Sequence, residues 1–314
     1  MPPKILVIVG PTASGKTRLA VELAHEWNGE VVSADSMQVY RDLVIGTARP
    51  TQEEMAGVPH HMMGVADPRE NYSVARCVQE ATACVEDSFR RGRHPIVVGG
   101  TGLYLDALCQ GRSFSDFRPE TGVRTRLQAQ AAQGGLDALW EQLRQVDPET
   151  AARLHPHDAK RIIRALEVWY DTGQTISQHN RQTQTQPPRY QGVTIALTYR
   201  DRQDLYQRID QRVDQMMARG LAEEVRALLA AGIPRTSTAM QAIGYKELVR
   251  ALDAGGDLAP AVEEIKRRSR QYAKRQLTWF RRKEDTEWIL LDKMQDFSSV
   301  VQISTDYLRE KGLP

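Results

Sequence analysis

Short runs of apolar residues alternate with longer amphipathic segments through the first hundred positions. Residues 5–9 and 95–98 are continuous apolar runs, as expected of parallel strands buried on both faces. Residues 29–33 resemble another short strand, and Ser73 is a good cap for an amphipathic helix that extends to residue 91. The alternation predicts an α/β fold with a parallel sheet, in which ligands bind at the carboxyl ends of the strands.

The pattern changes after Gly111. Residues 119–173 show helical periodicity and no strand, and the polar, proline-terminated stretch 181–188 has the composition of a linker. A strand returns at 192–199, and three helical segments (203–231, 239–253 and 259–283) precede a last strand at 288–291. We therefore expect one α/β core, formed by residues 1–111 and 191–314, that is interrupted by an all-helical insertion domain at 112–190.

Composition narrows the class of protein only moderately. The 314 residues are 41% hydrophobic and 26% charged, with a net charge of +2, so a wholly disordered chain is excluded. No apolar run is long enough for a membrane span or a secretory signal. The three cysteines lack CxxC spacing, which favours reduced thiols and a cytoplasmic location.

A complete GxxxxGK[ST] motif lies between the first strand and the first helix. This placement is the one that a phosphate-binding loop requires, because backbone N–H groups and the helix N-terminus then face the anion. Lys16 would add a positive charge and the Thr17 hydroxyl could hold Mg²⁺. The motif comprises Gly10, Pro11, Thr12, Ala13, Ser14, Gly15, Lys16 and Thr17.

Two polar residues follow neighbouring strands and should lie beside this loop. Asp35 follows the second strand and could be a general base or metal ligand, although an Asx-turn or helix cap explains it equally simply. Thr101 follows the third strand within Gly99–Gly102, where a hydroxyl and glycine N–H groups could stabilise developing negative charge. The glycines could instead merely permit close packing.

Basic residues are unevenly distributed. Arg208 and Arg212 share one face of a predicted helix, either as a solvated stripe or as a clamp for phosphate. Residues 266–283 contain nine Lys or Arg and no acidic residue, and Lys160–Arg164 form a smaller cluster. A continuous basic face beside aromatic residues is typical of nucleic-acid binding, so the low net charge conceals a possible RNA surface.

On a helical wheel the segment 259–283 also has an apolar side. We expect it to pack through Val262, Ile265, Tyr272, Trp279 and Phe280, leaving the basic residues on the opposite side. From these residues alone, a small-molecule or nucleoside kinase and a non-catalytic RNA-binding nucleotide switch both stay open. The basic helix argues against the kinase, because a metabolite kinase has no use for it.

Eight segments together resemble the bacterial tRNA dimethylallyltransferases (tRNA isopentenyltransferases) over nearly the whole length. They are GPTASGKT at 10–17, SADSMQVYRDLVIGTARP at 33–50, PHHM at 59–62, VGGTGLYLDAL at 98–108, HPHDAKRIIRALEV at 155–168, RIDQRVDQMMARGLAEEV at 208–225, QAIGYKE at 241–247 and YAKRQLTWFRR at 272–282. The Gln/Thr-rich stretch at 181–188 is the main departure.

This resemblance implies transfer of a dimethylallyl group from dimethylallyl diphosphate to N6 of adenine 37, beside the anticodon of tRNA. The fold implied is a P-loop NTPase-like core with a helical insertion that contacts tRNA, and the cofactor implied is Mg²⁺, held in part by Thr17. The phosphate loop would then bind the diphosphate leaving group rather than a nucleotide. The catalytic residues implied are Asp35 as general base, Thr101 and the diphosphate-contacting Arg212.

The resemblance also assigns residues to tRNA binding, besides Asp35 and Thr101. They are Ser36, Met37, Gln38, Arg124, Lys160, Arg161, Ile162, Ile163, Arg164, Gln241, Ala242, Ile243, Gly244, Tyr245 and Lys246. The expected partners are thus the anticodon stem-loop of tRNA and dimethylallyl diphosphate, with no membrane. We expect the protein to act as a monomer.

Overall fold

The core of the molecule is a six-stranded parallel sheet. In the computed structural model, which describes residues 2–111, 121–184 and 187–313, the strand order is β3-β2-β4-β1-β5-β6 and all neighbouring pairs are parallel. The strands are β1 (Lys4–Val9), β2 (Gly29–Ser33), β3 (His60–His61), β4 (His94–Val98), β5 (Gln191–Thr198) and β6 (Thr286–Leu290). The predicted α/β class is confirmed, and the two-residue β3 adds a strand that the sequence did not indicate.

Fourteen α-helices are found in the described residues. They are α1 (Lys16–Glu26), α2 (Gln52–Met55), α3 (Val74–Arg90), α4 (Gly102–Gln110), α5 (Thr121–Gln130), α6 (Leu136–Val146), α7 (Pro148–Arg153), α8 (Ala159–Thr172), α9 (Ile176–Gln184), α10 (Arg202–Ala218), α11 (Leu221–Ala230), α12 (Tyr245–Asp253), α13 (Ala259–Phe280) and α14 (Phe297–Glu310).

The two faces of the sheet are buried by different helices. Successive side chains of a strand point to opposite faces. Thus Ile5 and Val7 of β1 join a cluster with α3, α4 and α11–α13, whereas Leu6 and Ile8 pack with α1 and α14. Burial on both sides explains why β1 and β4 read as unbroken apolar runs.

The chain divides into two compact units, residues 1–111 with 189–314, and residues 112–188. The second unit has its own core, in which α5, α6 and α8 contribute Leu127, Leu139, Leu143 and Leu166. The expected boundary at residue 112 lies outside the described residues.

Two expectations about segment boundaries were wrong. Residues 203–231 form two helices rather than one, because Gly220 adopts the left-handed φ of +94° before α11 and so ends the preceding helix. The predicted linker at 181–188 is helical as far as Gln184, at the end of α9. Residues 185 and 186 lie outside the described residues.

A buried carboxylate fixes the strand that leads to Asp35. Glu30 of β2 is 2% exposed, and its oxygens accept hydrogen bonds from Arg91 at 2.5 and 2.6 Å. His61 of β3 lies 2.8 Å from the same carboxylate, and Ser88 of α3 donates to it at 3.2 Å. The hydrogen bonds from Arg91 lower the pKa of Glu30 to about 2 against the opposing effect of burial. This network ties β2 to β3 and to the end of α3.

The Glu30 network predicts a pH-dependent contribution to stability. Because the folded pKa lies below the ordinary value of 4.5, this contribution is complete above that value and is lost as pH falls towards 2. Between pH 6 and pH 3, the wild type should lose about 1–2 kcal/mol of unfolding free energy relative to Glu30→Gln, as measured by urea denaturation. A difference between the two proteins that does not change with pH would contradict this assignment.

Candidate active site

A large open cavity lies at the carboxyl ends of the central strands. Its volume is about 930 Å³, and all its lining residues belong to the first unit. The lining includes the loop after β1, the segment after β2, the glycines after β4 and one side of α10. The sheet topology therefore brings together segments that are far apart in the sequence, at the edge where parallel sheets bind ligands.

The loop after β1 has the backbone shape of a phosphate cradle. Gly10 has a φ of +146°, and a Cβ there would lie 2.4 Å from the carbonyl oxygen of Leu197. Gly15 caps α1 with a φ of +80°. Since neither position accommodates a side chain without strain, both glycines of the motif are required by the geometry of the turn. The N-terminus of α1 consequently faces the cavity.

Lys16 folds back over this loop. Its ammonium group donates hydrogen bonds to the carbonyl oxygens of Gly10 (3.1 Å) and Pro11 (2.7 Å). Burial and the nearby Arg212 lower the pKa of Lys16 to about 7, although Asp35 acts in the opposite direction. Neither Lys16 nor Arg212 forms a salt bridge with any described residue. Two basic side chains of the cavity wall, both partly buried, thus have no acidic ion-pair partner among the described residues.

Helix α10 supplies the arginines that line the cavity. Arg208, Arg212 and Arg219 all line the cavity, as the shared helix face predicted for the first two. Burial lowers the pKa of Arg212, and the negative charges of Glu54 and Asp35 partly offset this decrease. The Arg208 guanidinium lies 5.3 Å from the ring centre of Tyr199. This wall could bind the charged end of a polyphosphate.

Asp35 forms an Asx-turn, which is its simple structural role, and it also lines the cavity. Its Oδ1 accepts hydrogen bonds from the backbone N–H groups of Met37 (2.8 Å) and Gln38 (3.2 Å), which is an Asx-turn. Thr101 lies directly beside this turn, because its hydroxyl accepts from the backbone N–H of Ser36 at 3.3 Å. The structure therefore brings together two of the three predicted catalytic residues, Asp35 and Thr101.

Gln276 and Tyr272 are site residues that the sequence did not reveal. The Gln276 side chain accepts from the N–H of Thr12 at 3.0 Å and donates to the carbonyl of Gly100 at 3.0 Å. Burial and the charge of Asp35 raise the pKa of Tyr272 to about 12, while hydrogen bonds with Thr101 and Gln276 oppose the rise. Both residues lie in the basic segment, and the local sequence pattern does not show that distant backbone groups satisfy the buried amide of Gln276.

Much of that basic segment is neutralised. Lys266 pairs with Asp214, Arg268 with Glu264 and Glu247, and Arg270 with both oxygens of Asp210. Arg267 and Lys283 also have acidic partners, Glu264 and Asp106. No salt bridge to a described residue is made by four exposed members of the segment, Lys274, Arg275, Arg281 and Arg282. The charged surface is thus smaller than the sequence indicated, and it lies towards the end of α13.

The packing face of α13 was predicted only in part. Ile265 and Phe280 are buried as expected, but Trp279 is 37% exposed and donates its indole N–H to Asp106 at 2.8 Å. Ala273 and Gln276 are buried instead. The polar Gln276 is stable in the interior because its amide forms hydrogen bonds with the backbone groups of Thr12 and Gly100.

The predicted tRNA-binding residues of the second unit differ in accessibility. Ile162 and Ile163 are part of its hydrophobic core, so their side chains face inward. Lys160 and Arg161 are exposed near the start of α8. Arg124 and Arg164 both pair with the fully buried Glu167, at 3.3 and 2.8 Å. Lys160 and Arg161 are thus the more exposed charges of this set, and Arg161 also lies 3.4 Å from Asp158.

Most of the predicted segment Gln241–Lys246 is also buried. Ala242, Gly244 and Tyr245 are buried, Ile243 and Lys246 are partly buried, and only Gln241 is exposed. The Gln241 amide donates to the carbonyl of Arg235 at 2.8 Å, and Lys246 lies 3.7 Å from Glu247. The side chain of Tyr245 points into the protein rather than towards a partner.

Apolar residues complete the lining of the cavity, and the sequence alone did not identify them. They are Val21, Val31, Ile45, Met63, Met216, Leu291, Met294, Phe297 and Val300. The cavity therefore combines a wall of basic side chains with surfaces that suit an apolar group. Among the described residues, no group of three or more His, Cys, Asp or Glu is arranged to hold a metal ion. None of the described helices is long and apolar enough to cross a membrane.

Comparison with protein families agrees with this geometry. The model of the family described as "IPP transferase" matches residues 38–283, and the model described as "Isopentenyl transferase" matches residues 3–64. Together the two matches cover the phosphate loop, the Asp35 turn, α10 and α13.

Named relatives match over nearly their whole length. Proteins named tRNA dimethylallyltransferase from Thermoanaerobacter sp. (strain X514) and Geobacillus thermodenitrificans are 45% and 46% identical, with 98–99% of this chain and 98% of each relative covered. A tRNA isopentenylpyrophosphate transferase structure from Bacillus halodurans has a TM-score of 0.72 at 43% identity, covering 98% of this chain and 97% of that one. A eukaryotic dimethylallyltransferase, described as acting on tRNA, has a TM-score of 0.81 at 32% identity, with 98% and 80% covered.

The lowered pKa of Lys16 predicts that anion binding takes up a proton. Above pH 7 the free protein holds Lys16 mainly neutral, whereas a bound diphosphate would favour the ammonium form. At pH 8, inorganic diphosphate should bind with greater proton uptake in the wild type than in Lys16→Met, by up to about one proton. Calorimetry in buffers of different ionisation enthalpy measures this difference. Equal proton uptake by the two proteins would show that Lys16 is already charged.

Proposed function

The chain belongs to the IPP transferase family, and we propose that it moves a dimethylallyl group from dimethylallyl diphosphate to N6 of adenosine 37 in tRNA. One observation carries the chemical part of this proposal. The cationic phosphate loop and Arg212 share a single cavity with Asp35 and with apolar walls. A diphosphate, an isoprenoid tail and a proton acceptor can therefore meet in one place.

The cationic wall supports departure of the diphosphate. Diphosphate leaves readily only when its growing negative charge is neutralised, and Lys16 and Arg212 provide positive charge at the phosphate loop. Lys16 is held in place by the carbonyls of its own loop, and Arg212 lines the same cavity. Lys16 consequently needs little rearrangement when charge develops.

The donor set is compatible with Mg²⁺ only together with substrate. Mg²⁺ commonly takes one or two protein oxygens and completes its shell with waters and substrate phosphates. The Thr17 hydroxyl lines the cavity at the start of α1 and suits that limited role. When bound there, Mg²⁺ would neutralise part of the diphosphate charge.

In the proposed reaction, Asp35 accepts the proton from N6. The exocyclic amine of adenine is a weak nucleophile because its lone pair is delocalised, so removal of a proton during attack assists the reaction. The Asx-turn fixes the carboxylate through Oδ1 at the cavity wall. Thr101 and Tyr272 lie near Asp35, and their hydroxyl groups could orient the adenine. Adenine would have to leave the anticodon stack to arrive there.

The proposed reaction is tested directly by nucleoside analysis. The protein is incubated with dimethylallyl diphosphate, Mg²⁺ and unmodified tRNA, and the RNA is then digested and analysed by mass spectrometry. We expect N6-dimethylallyladenosine from one adenosine next to the anticodon. Absence of any prenylated adenosine, together with transfer of phosphate from ATP to a metabolite, would favour the kinase alternative.

Asp35→Asn separates the two roles of this residue. An asparagine oxygen can still accept from Met37 and Gln38, so the turn should persist, but the amide cannot take up the proton. We expect the rate of transfer to fall by about 10²–10⁴, with the affinities for diphosphate and tRNA retained. Asp67→Asn is a matched control, because Asp67 caps a similar turn through the N–H of Arg69 at 2.8 Å. Unchanged turnover in Asp35→Asn would remove the residue from catalysis.

The exposed end of α13 is the part of the basic segment that we expect to bind tRNA. The double variant Lys274→Glu with Arg282→Glu should weaken tRNA binding and flatten its dependence on salt, since fewer counterions would be released. Arg267→Glu is the control, because Glu264 already neutralises Arg267 on the same helix. Filter binding at several salt concentrations measures both effects. Identical salt slopes for the wild type and the double variant would show that this surface is merely solvated.

A further inference from the structure

The carboxylate of Glu224 holds the loop that forms one wall of the cavity. Its Oε2 accepts hydrogen bonds from the backbone N–H groups of Val44 (3.1 Å) and Ile45 (2.8 Å). Its Oε1 accepts from the N–H of Gly46 (3.2 Å) and from the hydroxyl of Tyr245 (2.5 Å). One side chain of α11 thus satisfies three consecutive amides of a loop about 180 residues earlier in the sequence.

Tyr245 supports this arrangement from a buried position. The residue is 0% exposed, and burial together with the neighbouring Glu224 carboxylate raises its pKa well above the ordinary value. The phenol therefore stays protonated and donates to Glu224. A Cβ at Gly46 would lie 2.5 Å from the Tyr245 ring, so the loop packs directly on that ring. We call Glu224, Tyr245 and the amides of Val44, Ile45 and Gly46 the loop clamp.

The clamped loop reaches the catalytic turn through Gln38. The Gln38 amide nitrogen donates to the carbonyls of Thr47 (3.2 Å) and Ala48 (3.4 Å), and its oxygen accepts from the Ser33 hydroxyl at 3.0 Å. The backbone N–H of Gln38 donates to Asp35. A continuous series of hydrogen bonds therefore runs from Glu224 through the loop to the proposed general base.

We propose that Glu224 and Tyr245 are positioning residues for the transfer step. They act through loop 44–48, which sets the cavity wall at Ile45 and holds Gln38 against the Asp35 turn. The inference rests on the proposed function, since it assigns the clamp to that reaction. It also gives Tyr245 an inward role, instead of the contact with tRNA that the resemblance suggested.

Glu224→Gln tests the clamp at its centre. The variant replaces one carboxylate oxygen by an amide nitrogen, which cannot accept a hydrogen bond. Amide exchange in residues 44–46 should accelerate, and the single-turnover transfer rate should fall by about tenfold to a hundredfold. The dissociation constant for inorganic diphosphate should stay within about twofold, because the phosphate loop is anchored by its own contacts and by Gln276. Glu223→Gln, at an exposed neighbour paired with Arg226, should change none of these values.

Tyr245→Phe provides a second test if Glu224→Gln does not fold. It keeps the ring that supports Gly46 and removes only the hydroxyl, so we expect a smaller decrease in rate with the same retention of diphosphate binding. The proposal is wrong if transfer is unchanged in the folded variants, or if transfer and diphosphate binding fall in parallel. Failure of the wild type to prenylate tRNA would instead contradict the proposed function, and amide exchange would still report whether the clamp holds the loop.

Discussion

The bridge made by the Gln276 side chain is the contact on which the arrangement of the site depends. It joins the phosphate loop after β1 to the glycine turn after β4, through the N–H of Thr12 and the carbonyl of Gly100. Both segments end neighbouring strands, so the bridge fixes the spacing of the walls that would hold diphosphate and acceptor base. A buried amide is favourable here because its polar atoms are satisfied, and a non-polar residue would leave two backbone groups without partners.

In the proposed reaction, the basic side chains of the cavity meet an anion that arrives with the substrate. Lys16 and Arg212 are partly buried and make no salt bridge within the described parts of the chain, and desolvation lowers the pKa of both. Such desolvated cations interact more strongly with a polyanion than exposed ones do. A motif usually associated with nucleotides can therefore serve to hold a leaving group, because it recognises phosphate oxygens and not the base.

Sequence motifs and the order of predicted strands identified those parts of the site that depend on residues close together in the chain. The GxxxxGK[ST] motif located the phosphate loop, and the order of strands placed Asp35 and Thr101 beside it. Contacts between distant residues could not be read in this way. Gln276 reaches across 264 positions to Thr12, and Glu224 across about 180 to the loop at Val44. The basic segment was misjudged for the same reason, because acids on α10 and α12 neutralise charges that look unopposed along α13.

The central claim is that the phosphate loop holds a leaving group, and the stoichiometry of the phosphate products tests it most directly. Dimethylallyl diphosphate labelled in both phosphates is mixed with the protein, Mg²⁺ and tRNA, and the labelled products are separated. We expect intact diphosphate, one for each prenylated adenosine and only when tRNA is present. Release of orthophosphate, or release of diphosphate without any modified adenosine, would contradict the account.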